Sequence, residues 1–290
     1  RILQTPNTDR LALEGVRFNN CFCTNSLCAP SRATILTGCY SGLHGIKGNS
    51  EIKGYEEHLN PDLPTFPEML RQAGYSTAII GKYHIRQDPV GFDEWRILSG
   101  QGEYFDPEFI ENGVHTRYKG YVTDIITDMA LDFLKKTDSA HPFLLEDLDL
   151  PYPATFDDGY STRQVAGLAK DMRIEVSLAG DYRDLPENLS EKEKKRWIFQ
   201  RFVRDSYRAV AGIDENLGRI LGFLDTRGLA GDTLIIYTSD NGFFLGEHGW
   251  YDKRFMYEPS LRIPLLVRYP RIVSGGQVSD SLVLNVDIAP

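Results

Sequence analysis

Apolar and polar positions alternate along this chain in two rhythms. Val122, Ile125, Met129 and Phe133 recur at the three-to-four-residue spacing of a helix face, as do Val210, Ile213, Leu217, Ile220 and Leu224. Between such stretches stand short apolar runs of strand length, at Ser76–Ile80, Pro142–Leu145 and Thr233–Thr238. The last, TLIIYT, is mostly β-branched or aromatic and predicts a central strand covered on both faces. Punctuation supports these elements. Asn7–Glu14 predicts a helix stopped by Gly15; Thr65 and Glu68 form a capping box for a helix that ends at Gly74; Ser190 and Glu193 form another, opening a long helical region that stops near Gly228. Helices alternating with short strands, with no internal repeat, predict an α/β fold with a largely parallel central sheet and helices on both faces. Glu146–Glu187 is acidic, rich in Pro, Gly and Asp, and reads as a long surface excursion. No linker interrupts the chain, so residues 1–290 are expected to form one domain.

Composition narrows the function. With 290 residues, 41% of them apolar and 25% charged, the chain can bury a large core, which excludes disorder, collagen and coiled coil. Lys and Arg number 32 against 41 Asp and Glu, a net charge of −9, so a general nucleic-acid or anionic-membrane surface is not expected. An anionic substrate must then meet a local cluster of cations. No apolar run approaches the roughly 18 to 20 residues of a membrane span, and Arg1–Asn7 holds neither a signal-peptide core nor a starting Met, so a soluble and incomplete chain is expected. Cys21, Cys23, Cys28 and Cys39 match no zinc pattern, while a disulfide among Cys21, Cys23 and Cys39 stays open.

Candidate chemistry gathers at three places. Ligands of open parallel sheets bind beyond the carboxyl ends of strands, and two predicted strands end in Gly81-Lys82-Tyr83-His84 and in Ser239-Asp240-Asn241-Gly242. The third place is Cys28-Ala-Pro-Ser-Arg32-Ala-Thr-Ile-Leu36-Thr37-Gly38, a cysteine just before an expected helix start with Arg32 one turn on. A helix N-terminus favours negative charge, which makes Cys28 a candidate nucleophile rather than only a small packing residue. Taken singly, each alternative is mundane: a lysine is a solvated side chain, and Asp-Asn-Gly after a strand is a turn.

Their joint occurrence carries a resemblance. Cys-x-Pro-Ser-Arg followed by Leu-Thr-Gly resembles the signature of the formylglycine-dependent sulfatases, in which that cysteine is oxidised to an aldehyde. Gly81-Lys82-Tyr83-His84 is similar to the family's Gly-Lys-x-His element. Asp240-Asn241-Gly242, followed by Leu245-Gly-Glu-His-Gly249 and Lys253, is similar to its second metal-and-sulfate segment. The resemblance covers essentially the whole chain and implies an alkaline-phosphatase-like α/β fold and hydrolysis of sulfate esters. It implies that Cys28 becomes formylglycine, through a formylglycine-generating maturation enzyme as partner, and also ligates one calcium ion together with Asp240 and Asn241. Arg32 would hold the aldehyde hydrate, Lys82 and Lys253 would grip sulfate oxygens, and His84 would assist deprotonation, its ordinary pKa near 6.5 suiting neutral pH. His248 would reach the sugar. Ser31 is read as a helix cap and a recognition element for maturation. In the family one hydrate hydroxyl attacks sulfur, and loss of the other's proton breaks the carbon–oxygen bond, so no water attacks a hindered sulfate.

The runs Gln101–Ile110, Gly120–Asp128 and Gly249–Glu258 resemble the N-acetylglucosamine-6-sulfatase and heparan 6-sulfatase branch. This implies 6-O-sulfated glucosamine units of mucin-type glycans or glycosaminoglycans as substrate, and a periplasmic, secreted or lysosomal location. Two departures stand out. The family's calcium-binding aspartate pair would precede Thr5, and its Pro-His loop would follow Leu145, where Glu146 stands instead. We therefore expect the first strand, a stretch between Leu145 and Glu146, and a smaller C-terminal subdomain to lie outside the chain. If Leu145 is truly joined to Glu146, the implied protein is a degenerate enzyme or an inactive binder of sulfated glycans. A phosphodiesterase or phosphonate hydrolase of the same superfamily is the enzymatic alternative.

Overall fold

The computed structural model describes residues 3–49, 57–135 and 170–289. Helix α1 (Pro6–Glu14) leads into β1 (Val16–Phe22), α2 (Cys28–Thr37) and α3 (Ser41–His44). Next come α4 (Phe66–Gln72), β2 (Ala78–Gly81), β3 (Glu94–Leu98), β4 (Glu108–Glu111), β5 (Val114–Arg117) and α5 (Val122–Lys135). After α6 (Ile174–Ser177) and α7 (Glu191–Thr226) the chain runs through β6 (Ile235–Thr238), β7 (Phe244–Leu245), β8 (Tyr251–Asp252), α8 (Glu258–Leu261), β9 (Leu265–Arg268) and β10 (Gln277–Leu284).

Two four-stranded sheets carry the site. The first has the order β10-β1-β9-β6; β1 and β10 are parallel, and β9 runs against both β1 and β6, so three strands share one direction. Leu11 of α1 and Leu217 and Leu221 of α7 pack on its Leu266, Ile235 and Tyr237 face. The second has the order β2-β3-β4-β5, with β2 and β3 parallel. Because successive strand residues point to opposite faces, Ile79, Ile97 and Ile110 meet α2 while Ile80, Leu98 and Phe109 meet α5. Helices therefore cover both faces of this sheet, as the alternation of elements predicts.

Local signals explain the boundaries. Thr65 and Glu68, and likewise Ser190 and Glu193, make both bonds of their capping boxes, each worth about 1 kcal/mol or somewhat less at an exposed end. Gly15 ends α1 against β9, where a Cβ would stand 2.3 Å from the Val267 carbonyl oxygen. The first turn of α1 is held from α7: buried Asp214 accepts from the backbone N–H groups of Asn7 and Thr8, the Asn7 amide and the Thr8 hydroxyl, at 2.6–3.2 Å. The charge sits where the helix dipole favours it.

Five expectations change. The strand expected to be central over Thr233–Thr238 is β6, which begins at Ile235, stands at the end of its sheet among the described residues and leaves Ile236 exposed. Strand β2 begins at Ala78 rather than Ser76. The region expected to be a surface excursion is packed from Met172 onward, with Met172 beside Trp250 and Ile174 against Ile198 and Phe199. All four cysteines are free, with Cys21 and Cys23 buried in the sheet core, which removes the open disulfide. Strand β1 is missed by pattern because Asn19 and Asn20 interrupt its apolar positions. The strand expected at Pro142–Leu145, the Leu145–Glu146 joint and the excursion as far as residue 169 lie outside the described residues.

Candidate active site

Cys28 opens α2 instead of preceding it, with Leu27 in extended conformation as the N-cap. Leu27 has no side-chain acceptor for the first N–H groups of the helix. Asn49 supplies one, its Oδ1 accepting from Ala29 N–H at 3.1 Å. Cys28 itself is 3% exposed. Lys82 Nζ lies 3.7 Å from its Sγ and Asn241 Oδ1 lies 3.9 Å away. The Asn241 amide orientation is fixed from the other side, because its Nδ2 donates to the Gly242 carbonyl at 2.7 Å.

Arg32 follows Cys28 by one turn and so faces the same way. Its Nε and Nη2 each lie 2.9 Å from Asp240 Oδ2, and its Nη1 donates to the Lys82 carbonyl. One guanidinium thus joins α2 to the ends of β2 and β6. Ser31 corrects an expectation: it lies inside α2, fully buried, and caps nothing. Its hydroxyl donates to the Asp240 carbonyl and accepts from Asn285 Nδ2 at 2.8 Å, which fixes the turn after β6 against the helix.

That turn is also pressed from α8. Gly242 N–H donates to the Ser260 carbonyl at 2.9 Å, and a Cβ on Gly242 would stand 2.2 Å from the Pro259 carbonyl oxygen. No side chain fits there.

His84, at the end of the Gly81–His84 segment, adopts φ 62°, a left-handed conformation rare outside glycine, and its buried Nδ1 has no partner among the described residues. Burial, together with the charges of Lys82, Arg32 and Lys253, lowers its pKa to about 4. The expected value near 6.5 is therefore corrected: the side chain is neutral across the physiological range. Burial also lowers the Lys82 pKa; the Arg32 and Lys253 charges act in the same direction, against Cys28 and Asp240.

Lys253 is held by strained backbone on both sides, with φ 71° at Asp252 and 105° at Arg254. Asp252 lies 3.7 Å from Lys253 Nζ and 3.0 Å from Arg254 Nε, and the Lys253 ammonium stands 5.7 Å from the Phe243 ring centroid. His248, also left-handed at φ 57°, packs among the rings of Phe244, Trp250 and Tyr257 with centroids 5.3–6.5 Å away. Of the other histidines, buried His44 accepts from Ile46 N–H and contacts Thr34, a packing role.

The structure therefore brings Cys28, Arg32, Lys82, Asp240 and Asn241 into direct contact, sets Lys253 and His84 within their electrostatic reach, and leaves His248 in a ring cluster. For a calcium ion the donors are of the right kind, a carboxylate and an amide oxygen beside position 28, but fewer than the six to eight oxygens the ion takes. Among the described residues no three His, Cys, Asp or Glu side chains converge. Sequence reasoning missed Asn49, Asp252 and Gln101; a polar residue between Gly100 and Gly102 at a strand end is the signal for Gln101.

The sequence profile of the family described as Sulfatase matches residues 1–290. The chain belongs to the sulfatase family. That family generally uses calcium and formylglycine. The N-acetylglucosamine-6-O-sulfatase of Bacteroides thetaiotaomicron is 39% identical over the whole of this chain and 62% of its own length. The human N-acetylglucosamine-6-sulfatase is 28% identical over 95% of the chain and 54% of its own length. The chain thus spans little more than half of these curated sulfatases. A solved protein in complex with its substrate D-glucosamine-2-N,6-O-disulfate superposes with a TM-score of 0.86 at 38% identity, covering 100% of this chain and 71% of that one. The phosphonate monoester hydrolase of Agrobacterium radiobacter, 21% identical with a TM-score of 0.73 over 100% of this chain and 68% of its own, shares the alkaline-phosphatase-like fold. Among the described residues no helix is long and apolar enough to cross a membrane.

Proposed function

We propose that this chain is the catalytic part of a sulfatase that hydrolyses the 6-O-sulfate of N-acetylglucosamine-type units in glycans. The observation that carries the reading is the approach of Lys82 Nζ and Asn241 Oδ1 to Cys28 Sγ, with Arg32 bound to Asp240 beside them. Its substrate class is supported by the 39% identity to a bacterial N-acetylglucosamine-6-O-sulfatase and by the solved complex with a 6-O-sulfated glucosamine.

Lys82 reaches buried Cys28, and Arg32 and Lys253 stand close enough to lower the Lys82 pKa, a local concentration of positive charge in a protein of net charge −9 that suits an arriving anion. Lys82 and Lys253 bind and orient the sulfate oxygens and offset the charge that grows on them at the transition state, while Arg32 holds side chain 28 and offsets its charge. Asp240 and Asn241, with side chain 28, would hold calcium, which supplies positive charge to nucleophile and sulfate alike. Formylglycine at position 28, installed by the maturation enzyme, would supply a geminal diol in place of a thiol. His84, within electrostatic reach of Lys82 and Arg32, would accept a proton from that side chain. Burial is the largest cause of the low His84 pKa, and an arriving anion would offset the second, the charges of Lys82, Arg32 and Lys253, and so raise its basicity in part. His248 would stand toward the sugar from its ring cluster. We place the protein in the periplasm, lysosome or extracellular space; a relative from Caenorhabditis elegans, 29% identical over 98% of the chain and 43% of its own length, is named a putative extracellular sulfatase Sulf-1 homolog.

The test is sulfate release from 6-sulfo-N-acetylglucosamine by matured protein, beside 4-sulfo-galactose sugars and aryl phosphate, with mass spectrometry across position 28. Selective release from the 6-sulfated amino sugar by an aldehyde-bearing protein is expected. Full turnover with an ordinary thiol, or dominant phosphatase activity, rejects the reading.

A further inference from the structure

Lys82, at Cys28, and its neighbouring cations Arg32 and Lys253 are not held alike. Arg32 is paired with the carboxylate of Asp240, and Lys253 with that of Asp252. Lys82 has no carboxylate within ion-pair distance among the described residues. Its ammonium donates instead to Gln101 Oε1 at 2.5 Å, opposite its 3.7 Å approach to Cys28 Sγ. The amide orientation follows from chemistry, since an ammonium has donors only and must face the oxygen.

The fold prepares this contact. Parallel pairing of β2 with β3, Gly81 opposite Ile97, brings both carboxyl ends to one side of the sheet, where Lys82 and Gln101 follow. Gln101 sits on the tip of a turn closed by Gly102 N–H donating to the Ser99 carbonyl at 3.0 Å. Its two neighbours, Gly100 at φ 58° and Gly102 at φ 80°, take left-handed conformations, and a Cβ on Gly102 would lie 2.8 Å from Leu98 Cδ1. Beyond it opens a cavity of about 570 Å³ lined by His84, Arg86, Gln101 and Asn49 over a floor that includes Ile97 and Ile110. With its oxygen turned to Lys82, Gln101 keeps both N–H donors for a molecule in that cavity.

Resting on the proposed sulfatase reading, we infer that Gln101 is a positioning residue that holds the Lys82 ammonium against side chain 28 through a neutral acceptor, keeping its positive charge uncancelled for the sulfate. A carboxylate at this position would hold the ammonium equally well and neutralise it. An alanine would release it to solvent. The choice of an amide thus separates placement of the charge from its strength.

The experiment compares wild-type protein with Gln101→Glu, Gln101→Ala and Gln101→Asn. Two readouts are used: binding of inorganic sulfate by calorimetry, and KM and kcat on 6-sulfo-N-acetylglucosamine. Because Gln101 is exposed, all variants should keep the wild-type melting temperature within about 2 °C, as surface changes do. Gln101→Glu should weaken sulfate binding and raise KM about tenfold or more, the scale of one charge-assisted contact, while kcat changes less. Gln101→Ala should lower kcat about tenfold with a smaller effect on KM, and Gln101→Asn should recover part of that loss. Equal behaviour of Glu and Gln at position 101 in both readouts overturns the inference. Absence of sulfate release by wild-type protein instead overturns the sulfatase reading, and unchanged sulfate binding by Gln101→Glu still decides against the role of Gln101.

Discussion

Arg32 and Asp240 meet through two contacts of 2.9 Å onto one carboxylate oxygen, Oδ2, while the third guanidinium nitrogen takes the Lys82 carbonyl. A single planar cation therefore sets the distance between the helix bearing Cys28 and two strand ends. Lysine has the charge but not the fork.

Arg32→Lys should accordingly lower kcat/KM by about 100-fold or more, comparable with loss of a fixed transition-state donor, with little loss of stability at this half-buried position. Steady-state kinetics with a 6-sulfated amino sugar, beside a thermal melt, checks the split. Near-wild-type turnover by the lysine variant would mean that charge alone is needed there.

His84 should titrate at about pH 4 in the unmatured, metal-free protein, and inorganic sulfate should move that midpoint upward by offsetting the nearby cations. Histidine ring NMR with and without sulfate measures both. The sign for stability follows from linkage. An unfolded chain binds this proton near pH 6.5, before the folded one does, so the stability contribution is complete above that pH and lost as pH falls toward 4. His84→Gln should flatten that part of the stability profile.

Gly242→Ala should disturb the metal turn rather than the global fold, because the added Cβ meets backbone of α8 at 2.2 Å and cannot be relieved by a rotamer change. We expect destabilisation of about 1–3 kcal/mol, in the range of overpacking, and a clear loss of calcium affinity in titration calorimetry. Unchanged calcium affinity would remove the Asp240–Asn241 turn from the proposed metal site.

Asp214→Asn should cost about 1–3 kcal/mol in urea unfolding, since a buried amide cannot accept all four of the bonds that α1 gives the carboxylate. Sulfate binding should remain, because the contact lies at α1 and not at Cys28.

Much of this protein is written in local pattern. The capping boxes at Thr65 and Ser190, the stop at Gly15, the strand before Asp240 and the order of Cys28, Lys82 and Asp240 motifs depend on neighbours a few residues apart, so the sequence alone determines them. Tertiary structure decided what depends on partners far along the chain. Strand β1 is recognisable only once β9 pairs with Val16–Phe18 and β10 runs on past the asparagines, Asn20 opposite Leu282. Ser31 stops being a cap when Asp240 and Asn285 arrive beside it. The basicity of His84 is set by burial and by cations brought in from positions 32, 82 and 253, and the placement of Lys82 by Gln101 across a parallel strand pair. Electrostatic fields and hydrogen-bond partners follow distance in space, and no spacing along a chain contains that distance until the sheets have formed.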